Sequence, residues 1–219
     1  MSAHPHPHRV VAIDGPAASG KSTVARQVAA RLGFLYVNSG AMYRAFTWLA
    51  VTRGIDCADR EAVKKLIAAT EIDCGQSEGV ATIRLNGQFV GGEEINLPEV
   101  NANVSPIAAV PEVRARLLGA LRAYADRADV VMEGRDIGSV VFPATPHKFY
   151  IDASPAVRQA RRQSQGLEDS IADRDRRDST RETAPLTIAE DAVVIDSSDR
   201  GIEEVVTAVL ARLAADGVE

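Results

Sequence analysis

Two cysteines in 219 residues are too few for a disulfide framework. Cys57 and Cys74 also lack the spacing of a metal site, so both are expected to be free thiols of a reduced cytoplasm. No apolar run is long enough to span a bilayer, and no signal peptide is visible, so a membrane partner is not expected. An excess of positive charge is missing too. Lys and Arg number 25 against 30 Asp and Glu, for a net charge of −5. That excludes a global attraction to nucleic acid, so any polyanion must be gripped by local clusters of arginine. His4, His6 and His8 alternate with prolines, and residues 1–8 are read as a disordered tail, with adventitious metal binding the other reading. What remains is 46% hydrophobic, enough for one α/β domain with a modest insertion.

The strongest positive signal is Gly15-Pro16-Ala17-Ala18-Ser19-Gly20-Lys21-Ser22-Thr23. An apolar run, Val10 to Ile13, precedes it and reads as a buried parallel strand. A helical stripe of Val24, Val28 and Leu32 follows it. Strand, glycine loop and helix in that order turn a G-x-x-x-x-G-K-[ST] match into a phosphate-binding loop. The two glycines let successive N–H groups point inward at a polyphosphate. The helix dipole adds to the attraction. Lys21 would reach the β- and γ-phosphates, and the Ser22 hydroxyl would ligate Mg²⁺. A nucleoside triphosphate is the implied ligand.

Further along, Phe34 to Val37 reads as a second buried strand, with Ser39 as the N-cap of a helix to about Arg53. Asp59 caps another amphipathic helix. Val80 to Leu85, Asn86-Gly87 and Gln88 to Val90 make a hairpin signal that interrupts the βαβ series. Residues 71–110 are therefore expected to be an inserted subdomain lying on top of a core formed by 9–70 and 111–219. Pro111 opens a helix, and Val130 to Met132, Lys148 to Ile151 and Ala192 to Ile195 are three more strands. A helix from Ile202 to Ala215 closes the chain. The expected fold is α/β: a doubly wound, five-stranded parallel sheet whose ligands sit at the strands' carboxyl ends.

Arginines are the second signal. Arg158, Arg161 and Arg162 share one helix face, behind a Ser154 cap. Arg174, Asp178 and Arg181 share another. Two short helices joined by a polar turn suggest a lid over about 154–181, folding its arginines onto phosphates. A solvated hairpin laced with surface ion pairs remains the other reading of the spacing alone. Arg44 could hold a second phosphate opposite the loop, with Ser39 and Tyr43 beside it, or lie on the surface. Glu133-Gly134-Arg135-Asp136 ends a buried strand at the functional edge of the sheet. Ser105 and Arg114 carry no signal alone; a helix cap and a surface arginine are their default readings.

Together these stretches resemble the cytidylate kinase family, the bacterial CMP/dCMP branch of the nucleoside-monophosphate kinases. The resemblance rests on the loop, on Ser39-Gly40-Ala41-Met42-Tyr43-Arg44, on Glu133 to Pro143, on Asp152-Ala153-Ser154-Pro155, and on Arg174 to Leu186. It implies MgATP-dependent phosphoryl transfer to CMP or dCMP. By it, Ser105, Arg114 and Asp136 match positions that read the cytosine edge. Arg44, Arg135 and Arg181 match arginines that hold the monophosphate, and Arg174 and Asp178 lie around the sugar. Lys21, Arg135, Arg162 and Arg181 would stabilise the transferring group, with Arg158 and Arg161 on the ATP side. Small-molecule substrates and a monomer are what it implies, with another small acceptor (UMP or a hydroxy acid) as the alternative and a P-loop ATPase acting on a partner less favoured. Three departures mark this chain: Asn38 where many members have Asp, Asn96 where an arginine is expected, and a short Gln163 to Asp173 connection in the lid.

Overall fold

The computed structural model describes residues 8–164 and 186–218. Its strands are β1 (Val10–Asp14), β2 (Leu35–Asn38), β3 (Ile72–Ser77), β4 (Val80–Leu85), β5 (Gln88–Phe89), β6 (Val130–Gly134), β7 (His147–Asp152) and β8 (Val193–Asp196). Its helices are α1 (Lys21–Leu32), α2 (Ser39–Thr52), α3 (Arg60–Ala68), α4 (Pro98–Ala108), α5 (Pro111–Ala125), α6 (Pro155–Ser164) and α7 (Ile202–Ala215). Short helical turns lie at Glu94–Asn96 and Ile137–Val141.

The expected parallel core is present, in the order β2-β6-β1-β7-β8. β1 is central and buried throughout, as the continuous apolar run requires. Two apolar layers cover the sheet. One joins α2, α3 and α5 through Phe46, Ile67, Leu117 and Leu121. The other joins α1 and α7 through Val24, Val28, Val205 and Leu213. Both thiols are free, Cys57 buried and Cys74 half-buried. No described helix is long and apolar enough to cross a membrane.

Three local outcomes differ from expectation. Asn38, not Ser39, caps α2: its side chain accepts from the Ala41 N–H at 2.9 Å. Ser39 is the first helical residue, and its hydroxyl donates to the Glu133 carbonyl at 2.8 Å. The hairpin's Asn86-Gly87 turn forms with φ of 51 and 79, the left-handed pair such turns demand. Its longer partner, however, is β3, which pairs with β4 over six residues from Ile72↔Leu85 to Ser77↔Val80. This hairpin does not lie above the sheet. It continues the sheet's edge, joined to β2 at Tyr36↔Val80. α4 then runs from a proline at its first turn, through an internal Pro106, and buries Val100 and Ile107, the latter in the apolar layer of the α2 side.

Candidate active site

At the carboxyl ends of β1, β2 and β6 lies a cleft of about 280 Å³. Ala17, Ala18 and Gly20 to Thr23 line one side; Asn38 to Gly40, Tyr43 and Arg44 line a second. Val104, Ser105, Ala108 and Arg114 come from α4 and α5. Glu133 to Asp136 and Arg162 complete it. The crossovers of a parallel sheet deliver these distant stretches to one edge.

The glycine loop has the curl that the motif predicts. Gly15 adopts φ of +154, and a Cβ there would sit 2.1 Å from the Ile151 carbonyl oxygen. No other residue fits. Gly20 and Ala18 also have positive φ, 89 and 59. Lys21 is buried and donates to the Pro16 carbonyl at 3.0 Å, across its own loop. Ser22 Oγ donates to Glu133 Oε1 at 2.8 Å. Glu133 is 3% exposed and also accepts from the Tyr36 hydroxyl at 3.3 Å. Its part was missed in the sequence, although a carboxylate ending the strand beside β1 is a signal that could have found it. Ser22 and Glu133 offer hard oxygen atoms at the loop, and no cluster of three or more His, Cys, Asp or Glu that could hold a metal exists among the described residues. That donor set suits an ion that keeps most of its waters and bridges phosphates, as Mg²⁺ does.

Opposite the loop, Arg44 is no surface arginine. Its Nε is shut from solvent with no hydrogen-bond partner in the described structure. Burial pushes the guanidinium pKa down; Arg135 and Arg162 nearby push the same way, while Glu133 opposes them. A buried donor left unpaired costs on the order of 1–3 kcal/mol. The guanidiniums of Arg44, Arg114, Arg135 and Arg162 and the Lys21 ammonium thus line one cleft whose carboxylates are Glu133 and Asp136. Arg135 Nη1 donates to the Gly15 carbonyl at 2.9 Å, tying the end of β6 to the loop.

Arg114 is not on the helix surface either. It is buried, forms an ion pair with the Asp136 carboxylate, and lies 5.8 Å from the Tyr43 ring centroid. Ser105 reaches the cleft from inside α4 rather than as a cap. Ser105, Arg114 and Asp136, unrelated in sequence, thus all line this cleft.

The α6 arginines divide. Ser154 caps the helix, accepting from the Val157 N–H at 3.4 Å. Arg162 lines the cleft. Arg158 is buried and donates to the Ala153 carbonyl at 3.0 Å and the Ala17 carbonyl at 3.4 Å. Arg161 donates to the carbonyls of Ser19 at 3.2 Å and Ser197 at 2.7 Å. Both brace the outside of the loop in this state. Arg174, Asp178 and Arg181 lie outside the described residues.

The family model described as cytidylate kinase matches residues 11–215. The chain belongs to the cytidylate kinase family. It is 43% identical to the cytidylate kinase of Pelotomaculum thermopropionicum over 217 residues, covering 94% of this chain and 96% of that one. It is 44% identical to the cytidylate kinase of Solibacter usitatus, covering 92% and 90%. Its fold is similar to that of a sugar kinase from Janibacter sp., with a TM-score of 0.51 at 16% identity over 95% of each chain. At that identity the likeness speaks for the fold alone.

Asp14 is a second residue the sequence reading passed over. It ends β1, 6% exposed, and burial pushes its carboxyl up to about 6 from 3.8. The amides of Gly138 and Ile137 pull it back, Asp136 adds to the rise, and Lys21 lowers it. A carboxyl that binds its proton more tightly when folded stabilises the fold at low pH. That contribution is lost as pH rises through about 6. Asparagine does not titrate. The stability of Asp14→Asn relative to wild type should therefore rise by about 2–3 kcal/mol between pH 4 and pH 8. Chemical denaturation of both proteins across that range checks it; parallel curves would mean that Asp14 is not the titrating group.

Proposed function

We propose that the chain is a MgATP-dependent kinase that transfers the γ-phosphoryl group to CMP or dCMP, giving the diphosphate and ADP. One observation carries the reading: a half-buried Arg44 whose Nε is shut from solvent and unpartnered, facing the phosphate loop across a cleft that Arg135, Arg162 and Lys21 also line. A loop for one polyphosphate and a separate arginine cluster for a second anion describe a donor and an acceptor. The relatives' name, cytidylate kinase, supplies the acceptor's identity.

The chemistry asks for positioning and charge stabilisation, with no covalent intermediate. The loop amides and Lys21 would hold the donor's phosphates. Arg44 and Arg135 would hold the acceptor phosphate in line, with Arg162 between the two. Ser22, with Glu133 beside it, would hold Mg²⁺, which supplies positive charge against the phosphates when bound. Arg114 and Asp136 offer a donor and an acceptor to the base edge, with Ser105 on the same wall. Cytosine presents an amine and a carbonyl there. Uracil would set a carbonyl against the carboxylate, leaving buried groups unpaired at about 1–3 kcal/mol each. We place Arg174, Asp178 and Arg181 around the sugar and phosphate on the strength of the family resemblance alone. A hydroxy-acid kinase, the alternative, has no use for the Ser105, Arg114 and Asp136 wall. The free thiols suit a reducing cytoplasm.

ADP release from ATP should be rapid with CMP and dCMP, slower with UMP by at least about 10-fold, and absent with AMP, shikimate and gluconate. Omitting magnesium should abolish it. Equal rates across the panel, or release without an acceptor, would remove the reading.

A further inference from the structure

The wall that faces the acceptor base depends on a short turn of helix, and that turn depends on one carboxylate. Asp136 lies between β6 and the Ile137–Val141 turn, with φ of −144 and ψ of 26. Its own side chain does not cap the turn. Asp14 does so from the neighbouring strand. Asp14 Oδ1 accepts from the Ile137 N–H and Oδ2 from the Gly138 N–H, both at 2.8 Å. The β1–β6 ladder is already complete at Asp14↔Gly134, so these two bonds add nothing to strand pairing. They fix the backbone that follows Asp136. One residue on, the Gly15 carbonyl accepts from Arg135 at 2.9 Å. Adjacent residues at the root of the phosphate loop thus grip Arg135 and the backbone that follows Asp136.

We propose that Asp14 is the positioning residue for acceptor-base selection: by fixing the Ile137 and Gly138 amides it sets Asp136 against Arg114 at a constant place relative to the phosphate loop. This rests on the reading of the cleft as a cytosine-nucleotide kinase site.

The residue type fits the task. Two amides converge on one group, and a carboxylate presents two acceptor oxygens to them. Asparagine presents one oxygen and an NH₂ that would face the second amide. Other charges around Asp14 are accounted for. Asp136 repels it and Lys21 attracts it. Arg135 is turned to the Gly15 carbonyl. The Lys148 stem packs at Gly138, and its ammonium goes to Asp191 and the Pro143 carbonyl, each at 2.8 Å. Arg114 is held by Asp136. Burial raises its pKa, so keeping it ionised works against stability. That is the pattern of a residue kept for what it places.

Steady-state kinetics of wild type and Asp14→Asn with CMP, UMP and ATP at pH 8 test this. KM for CMP should rise about 10-fold and the CMP-to-UMP ratio of kcat/KM should narrow at least about 3-fold, with KM for ATP within about 2-fold. A second measurement uses wild type alone. As pH falls from 8 towards 5.5 and Asp14 gains its proton, the same ratio should narrow. Titration of the acceptor phosphate is common to both nucleotides and cancels in it. A ratio unmoved by both the substitution and pH would overturn the proposal. So would a KM for ATP rising as much as that for CMP, which would make Asp14 part of the loop. Wild type showing no preference for CMP would instead defeat the functional reading on which this rests.

Discussion

Lys21→Ala is expected to lower turnover by about 10²–10³-fold while the fold survives. In the structure Lys21 reaches across its own loop to the Pro16 carbonyl, and nothing in the apolar core depends on it. On the proposed reading its ammonium would be a preplaced charge for phosphates, and removing it would take away stabilisation of the transition state. KM for ATP should change far less than kcat. Circular dichroism and steady-state kinetics on one preparation decide the matter. Turnover close to wild type would place phosphoryl transfer elsewhere.

The second large effect is expected at Asp136. The carboxylate forms a buried ion pair with Arg114, so Asp136→Ala does two things at once. It removes the proposed acceptor for the exocyclic amine of cytosine, and it takes the carboxylate from a buried guanidinium, which costs about 3–5 kcal/mol in comparable pairs. Lower melting temperature is therefore part of the prediction, and selectivity is the part that matters. On the same proposal, loss of the carboxylate would also remove its repulsion of the uracil carbonyl. Activity on CMP should fall steeply, and the CMP-to-UMP ratio of kcat/KM should narrow by roughly 10-fold or more, about 1.4 kcal/mol or more. Measured kcat/KM for both acceptors tests it. If CMP activity falls and the ratio stays fixed, Asp136 orients its neighbours and does not read the base.

What could be read from the sequence follows from how local each signal is. The glycine loop is legible because its chemistry is contiguous: a buried strand, glycines with special φ, and a helix start at Lys21. The parallel strands are legible because burial on both faces writes them as unbroken apolar runs. β3 is not. Ile72-Asp73-Cys74-Gly75-Gln76-Ser77 alternates only over its first three residues and has little β-branched density, and Glu78-Gly79 turns it onto β4. The cap of α2 was misplaced by one residue because Asn38 and Ser39 are both good capping types; the pull of the Glu133 carbonyl on Ser39 settles which one caps. For the α6 arginines, spacing defines a face and says nothing about its partner. Arg158 and Arg161 find loop carbonyls, and Arg162 alone of the three lines the cleft. Arg114 and Ser105 were invisible without the resemblance, since only tertiary packing pairs Arg114 with Asp136 and brings Ser105 to the same cleft. Asp14 was hidden in plain view, as the last letter of an apolar strand.

On the proposed reading this cleft moves a phosphoryl group from ATP to a cytosine monophosphate. The most direct measurement follows the group itself, with ATP labelled on the γ-phosphate, CMP as acceptor, and products separated chromatographically. The label should be recovered in CDP, one equivalent for each ADP formed, with none on the protein. Label released as inorganic phosphate, at a rate indifferent to CMP, would contradict the account.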